Sequence, residues 1–177
     1  DRNTSGLVIA GKTLKGVQAV NEIIRTHKLD KYYLTLVAGE IRHAGEITGY
    51  LTKDEDKNQV RISKREGMGA KTLTKYRPIA HAKGYTLLEI HLITGKTHQI
   101  RAHMQSIGHP VVGDRKYGAE HSNEKFRKEY ALSNQFLHAL RVEWNEKEGP
   151  LGYLYGKEMT APLPKTLQDI CDGLFGK

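Results

Sequence analysis

The chain has 177 residues, with 28 Lys plus Arg against 20 Asp plus Glu, a net charge of +8 and a single cysteine, Cys171. That length suits one domain with its own core, and one cysteine excludes an intrachain disulfide or a thiolate metal cluster, which fits a reducing, cytoplasmic setting. No run approaches roughly 18 apolar residues, so no membrane span is expected, and the basic excess favours a polyanionic partner, nucleic acid first.

The opening Asp1-Arg2-Asn3-Thr4-Ser5-Gly6 is polar and turn-prone, and Leu7-Val8-Ile9-Ala10 reads as a short apolar strand. Residues 13–27 read as an amphipathic helix with Val17, Val20, Ile23 and Ile24 on its buried side. Residues 31–39 (KYYLTLVAG) combine aromatic and β-branched residues and stop at glycine, as a strand does. Shorter strands are expected at 47–52 and 59–63 around a charged turn, 53–58. A glycine-bearing basic loop at 64–71 precedes a strand pair, 72–81 and 85–93, turning at Ala82-Lys83-Gly84.

Gly95 ends the second of these strands, and Thr97 is placed to cap a helix reaching Ile107, with Gly108 and Pro110 as stop signals. At 100° per residue Ile100, Met104 and Ile107 share one face. His98, Arg101 and Gln105 share another, within about 60° of arc. A loop at 109–118 with an extended Val111-Val112, a polar helix at 122–132, strands at 136–144 and 153–161, and a helix at 165–174 complete the chain. Strands outnumber helices without regular alternation, so the expected class is α+β on a mixed, mostly antiparallel sheet.

Local motifs exclude more than they assign. Gly95-Lys96-Thr97 has the tail of a phosphate-binding loop, but Ile90 stands where its first glycine is required. Gly67-Met68-Gly69 lacks the third glycine of a dinucleotide fingerprint, because position 72 is Thr. Nine histidines raise a metal site, yet His98 and His103 are five apart and leave different sides of a helix, so no metal is expected. On local chemistry alone Asp1 reads as a turn residue, Arg101 as a salt-bridge former and Tyr33 as a core tyrosine.

Taken together, four ordered stretches resemble the RluA-type family of RNA pseudouridine synthases. DRNTSGLVIAGKT is similar to the family's catalytic segment and KYYLTLVAG to its tyrosine strand. LEIHLITGKTHQIRAHMQSIGHPVVGDRKYG is similar to its arginine-bearing block, and LHALRVEW with TAPLPKTL to its closing segments. The resemblance implies a pseudouridine synthase fold, with Asp1 on the catalytic aspartate, Tyr33 on the active-site tyrosine and Arg101 on the arginine that pairs with the aspartate. The His-Arg-Leu that precedes the family's aspartate and its N-terminal S4-type domain have no counterpart, and the first methionine is Met68. Residues 1–177 are therefore expected to be one catalytic domain lacking its N-terminal portion.

The implied reaction detaches uracil at N1, rotates it and rejoins it to C1′ through C5, which needs a carboxylate but no cofactor. The uridine has to leave its stack to be reached. Lys96, Thr97, His98 and Gln99 are placed to hold flanking phosphates or the flipped base. The expected substrate is structured RNA, ribosomal RNA of the large subunit first and tRNA second, for a cytoplasmic monomer. The rival classes are a non-catalytic RNA-binding module and a phosphotransferase resting on Gly95-Lys96-Thr97.

Overall fold

The computed structural model describes residues 1–54, 59–67 and 69–176. Eight strands form one sheet: β1 (Ser5–Gly6), β2 (Leu29–Ala38), β3 (Gly45–Asp54), β4 (Gln59–Ser63), β5 (Ala70–Ala82), β6 (Tyr85–Leu92), β7 (Leu137–Trp144) and β8 (Glu158–Thr160). The helices are α1 (Leu14–Arg25), α2 (Gln99–Ser106), α3 (Glu120–Tyr130) and α4 (Lys165–Phe175). The order across the sheet is β1-β7-β2-β6-β5-β3-β4, with β8 also on β7. Only the β1–β7 pairing is parallel among these. The α+β, mostly antiparallel expectation holds.

Side-chain alternation divides the sheet into two faces. Val37 on β2 and Leu88, Ile90 and Leu92 on β6 pack with Ile100 and Met104 of α2. Leu34 and Leu36 on β2 and Leu87 on β6 point the other way, into a core with Phe126 of α3, Phe136, and Leu167, Ile170 and Leu174 of α4. Tyr33 belongs to the α2 face. The β5–β6 hairpin turns at Lys83-Gly84, both with positive φ (52° and 80°), the geometry that matches strand twist in a two-residue loop.

Several boundaries differ from the sequence reading. Leu7–Ala10 is not a strand: pairing with β7 stops at Gly6↔Ala139. Continuing it would bring the segment to Arg141, where β8 already pairs through Thr160, so the edge is taken and Val8 is left 87% exposed. The expected strand at 153–161 is a 3-10 turn at Gly152–Leu154 followed by the short β8. Val17 and Ile24 of α1 are exposed, and only Ile23 of that helix is fully buried. Lys53 and Asp54 continue β3, while the rest of the expected charged turn and Met68 lie outside the described residues. Among the described residues no helix is long and apolar enough to cross a membrane.

The helix expected to begin at Thr97 begins at Gln99 instead. Its N-cap is His98, in the left-handed region with φ 55°, and no side chain caps it. The Gln99 side chain instead braces the loop before the helix: its Oε1 accepts from Thr94 Oγ1 (2.8 Å) and Lys96 N–H (3.1 Å), and its Nε2 donates to Leu73 O and Thr74 Oγ1. One turn further, the fully buried His103 contacts Thr74 Oγ1 through Nδ1 (2.8 Å) and Thr72 Oγ1 through Nε2 (3.0 Å). The inner face of α2 is thus fastened to β5 by amide, imidazole and hydroxyls.

Burial lowers the His103 pKa from 6.5 to about 4. The unfolded chain therefore binds a proton between those values that the folded protein refuses, so stability falls with decreasing pH across that window. The full effect is about 3 kcal/mol. Urea midpoints at pH 7 and pH 4.5 should show it, with a flatter dependence in His103→Gln. Phe136, with no exposed surface, should cost about 3–5 kcal/mol on replacement by alanine. Val8→Ser should stay within about 0.5 kcal/mol. A large Val8 effect would restore the abandoned strand.

Candidate active site

The site is assembled around the guanidinium of Arg101, which α2 carries into the protein. Its Nε donates to Asp114 Oδ2 (2.6 Å) and its Nη2 to Asp114 Oδ1 (2.9 Å), a two-pronged pair in which both residues are buried. Asp114 Oδ1 also accepts the backbone N–H groups of Lys116 and Tyr117 (2.8 and 3.0 Å). The Tyr117 ring lies 5.0 Å from the guanidinium carbon, closing one side of it. What remains is Nη1, and it donates to Asp1 Oδ2 at 3.4 Å.

Asp1 is held from three directions. Its Oδ1 accepts the backbone N–H of His98 (3.2 Å), which the left-handed conformation of that residue aims outward from the start of α2. Its own carbonyl accepts Thr4 N–H in a turn that passes through Asn3 at φ 71°. Behind the turn, Gln135 Nε2 donates to Arg2 O, Ser5 Oγ bonds His138 Nδ1 (2.8 Å), and Leu7 N–H reaches Ala139 O. Gly6 is required here: its φ is 98°, and a Cβ would sit 2.1 Å from Ala139 O.

The Asp1 carboxylate borders a cavity of about 330 Å³, near the small end for ligand sites. Lys31 and Tyr33 of β2 line it with Lys96, Thr97 and Ile100. Burial pushes the Tyr33 phenol up, so the hydroxyl keeps its proton at neutral pH. On the other side of the loop, a second cavity of about 440 Å³ is lined by Arg2, His98, Arg101, Arg115 and Lys116. The carboxylate therefore stands between a small pocket and a strongly basic one.

Asp1, Tyr33, Lys96, Thr97 and Gln99 meet at the first cavity, and Arg101 stands directly behind Asp1. Gln99 shapes the wall while its amide is engaged within the protein. The His98 ring belongs to the second cavity. Its Nδ1 lies 3.0 Å from the Tyr117 hydroxyl, which also accepts Val60 N–H. With that acceptor role filled, the phenol proton is directed at Nδ1, and burial followed by the nearby Arg101 charge keeps the imidazole neutral, its pKa lowered. Gln105, grouped with His98 and Arg101 by periodicity, is exposed and takes no part.

Sequence reasoning missed Asp114, Tyr117 and Lys31. Asp114 and Tyr117 sit in Gly113-Asp114-Arg115-Lys116-Tyr117-Gly118, whose acidic residue in a basic loop before a glycine was the available signal. Lys31 gave none beyond sharing the period-two face of Tyr33.

A carboxylate clamped by a buried arginine thus stands at the mouth of a small pocket and is flanked by cationic side chains. The comparisons give the family: residues 1–106 match the RNA pseudouridylate synthase family, and the chain belongs to it. It is 33% identical over 171 residues to the ribosomal large subunit pseudouridine synthase C of Haemophilus ducreyi, covering 96% of this chain and 52% of that protein. An uncharacterized RNA pseudouridine synthase of Chloroflexus aurantiacus is 33% identical over 175 residues, 96% of this chain and 50% of the relative. The chain thus spans about half the length of the curated relatives it matches. The fold is that of human RNA pseudouridylate synthase domain containing 1, with a TM-score of 0.68 at 22% identity, over 86% of this chain and 62% of that one.

Asp114→Asn should cost about 3–5 kcal/mol, because it leaves the buried guanidinium with half its counter-charge. Breaking the exposed Glu22–Arg25 pair on α1 should cost nothing measurable. Urea denaturation of Asp114→Asn and Glu22→Gln compares the two directly.

Proposed function

We propose that the protein converts uridine to pseudouridine in structured RNA, with large-subunit ribosomal RNA as the first substrate, in the cytoplasm and as a monomer. The observation that carries this reading is the Asp1 carboxylate, held by Arg101 Nη1 and His98 N–H at the mouth of a cavity containing Tyr33. A uridine flipped from its stack enters that cavity against the Tyr33 ring. Asp1 then acts at the ribose while the N1–C1′ bond breaks, either attacking C1′ or taking the 2′ proton. Arg101 keeps the carboxylate aimed, and the Asp114 pair keeps Arg101 from turning away.

The uracil rotates, C5 joins C1′, and the C5 proton is removed beside Tyr33. Lys96 and Thr97 sit at the rim, where the flanking phosphates pass, and His98 with Arg115 and Lys116 extends the cationic track beyond Asp1. Gln99 supports this by bracing the 94–98 loop.

Release of tritium from C5-labelled uridine in unmodified ribosomal RNA and in tRNA tests the reading and separates the two substrates. Asp1→Asn should abolish release, by at least about a thousandfold. Arg101→Ala should do nearly the same while RNA affinity falls less than about tenfold, because one charge among many phosphate contacts matters little. Release that survives Asp1→Asn would remove the aspartate from the reaction. RNA binding without release from either RNA would leave a binding module.

A further inference from the structure

Lys31 lines the first cavity without any partner of its own. Among the described residues its ammonium makes neither a hydrogen bond nor an ion pair, whereas the Arg101 guanidinium behind the same cavity is engaged by Asp114 and Asp1. The group is also partly desolvated, and burial alone lowers its pKa. Its Nζ lies 3.0 Å from the point where a Cβ on Gly95 would stand, so the amine rests close against the 94–98 loop. Removing a cation from water without an acceptor is costly, and a protein that keeps one in a pocket has an acceptor arriving from outside.

The placement decides which acceptor. Lys31 and Tyr33 are two residues apart on β2, on one face of the sheet and about 7 Å apart along the strand. A base lying against the Tyr33 ring presents its edge along that floor. Lys96 is exposed at the rim of the same cavity and meets the phosphates there, which stay with the ribose chain.

We propose that Lys31 donates a hydrogen bond to a carbonyl oxygen of the uracil while that base is detached from the ribose, and so is a further catalytic residue. The inference rests on the pseudouridine synthase reading of the site. When the N1–C1′ bond breaks, its electron pair leaves with N1 and spreads over O2 and O4. The ammonium stabilises that charge without giving up its proton. The pair then returns through C5 as the C5–C1′ bond forms, and the C5 proton is lost while N1 takes one up, so the product is an isomer and nothing is oxidised or reduced. A fixed donor aimed at charge that develops only during reaction raises turnover more than binding.

The test is single-turnover pseudouridine formation by the wild type, Lys31→Met and Lys31→Gln, on RNA whose target base is uracil, 2-thiouracil or 4-thiouracil. Lys31→Met should be about a hundredfold slower with RNA affinity changed less than about threefold, and Lys31→Gln, which keeps a donor, should recover part of the loss. One thio substitution should slow the wild type and leave Lys31→Met no slower than it already is, because the sulfur and the methionine remove the same contact. A wild-type rate in both variants would overturn the proposal and leave the function standing. So would thio effects that add fully to Lys31→Met, or a loss of affinity with a shallower salt dependence, which marks a phosphate contact. Absence of pseudouridine from the wild type on every RNA would remove the function and this inference together.

Discussion

The ion pair between Arg101 and Asp114 is the constraint from which the site follows. Two buried, oppositely charged groups are held in a planar two-pronged geometry, and the carboxylate's Oδ1 also accepts two backbone N–H groups. Desolvation makes such a pair a poor source of stability compared with apolar packing, but breaking it on one side is expensive. Its value lies in direction: two of the three guanidinium nitrogens are committed inward, and the third can point only at Asp1. An arginine at the surface would satisfy the same aspartate in many orientations. Lysine could not fill this place, because a single ammonium cannot serve two carboxylates at fixed angles.

The sheet makes that pair possible by separating tasks between its faces. The face under α3 and α4 is filled by leucines and phenylalanines. The opposite face carries α2 over its middle and leaves the β2 end with Lys31 and Tyr33 open as a pocket floor. Beyond α2, the aligned residues Asp30, Tyr32, Glu89 and His91 lie on the reverse side at the same end. Tyr32 stacks on His91 at 4.6 Å, and the Arg141 guanidinium lies 3.8 Å from the Tyr32 ring. One stretch, Asp30-Lys31-Tyr32-Tyr33, therefore supplies a surface of paired charges to one side and the floor of the cavity beside Asp1 to the other.

The sequence was most legible where a single period ruled. β2, β6, β7 and α4 came within one or two residues of their observed bounds, because their apolar residues repeat cleanly and, for β2, β6 and α4, Gly or Pro stands at or near an end. It was least legible where distant chain decides. Nothing within Leu7–Ala10 reveals that β8 will occupy the edge it needs. Nothing within Thr97–Gln99 reveals that the helix will start uncapped after a left-handed His98 while a glutamine side chain braces the loop before it. The placement of Asp1 beside Arg101 came from resemblance, since local chemistry gave a turn aspartate. Asp114 escaped because its partner lies in another element and a lone acid in a basic loop has no period.

The anchoring of the Asp1 turn on β7 has a consequence for the order in which the protein is made. Asp1 leaves the ribosome before everything that positions it, including His98, Arg101, Asp114 and the His138 to which Ser5 is bonded. Contacts across some 133 residues of chain close late, since the entropy of so large a loop has to be met first. The Asp1 carboxylate thus takes its place beside Arg101 only once β7 is there to anchor the turn that carries it.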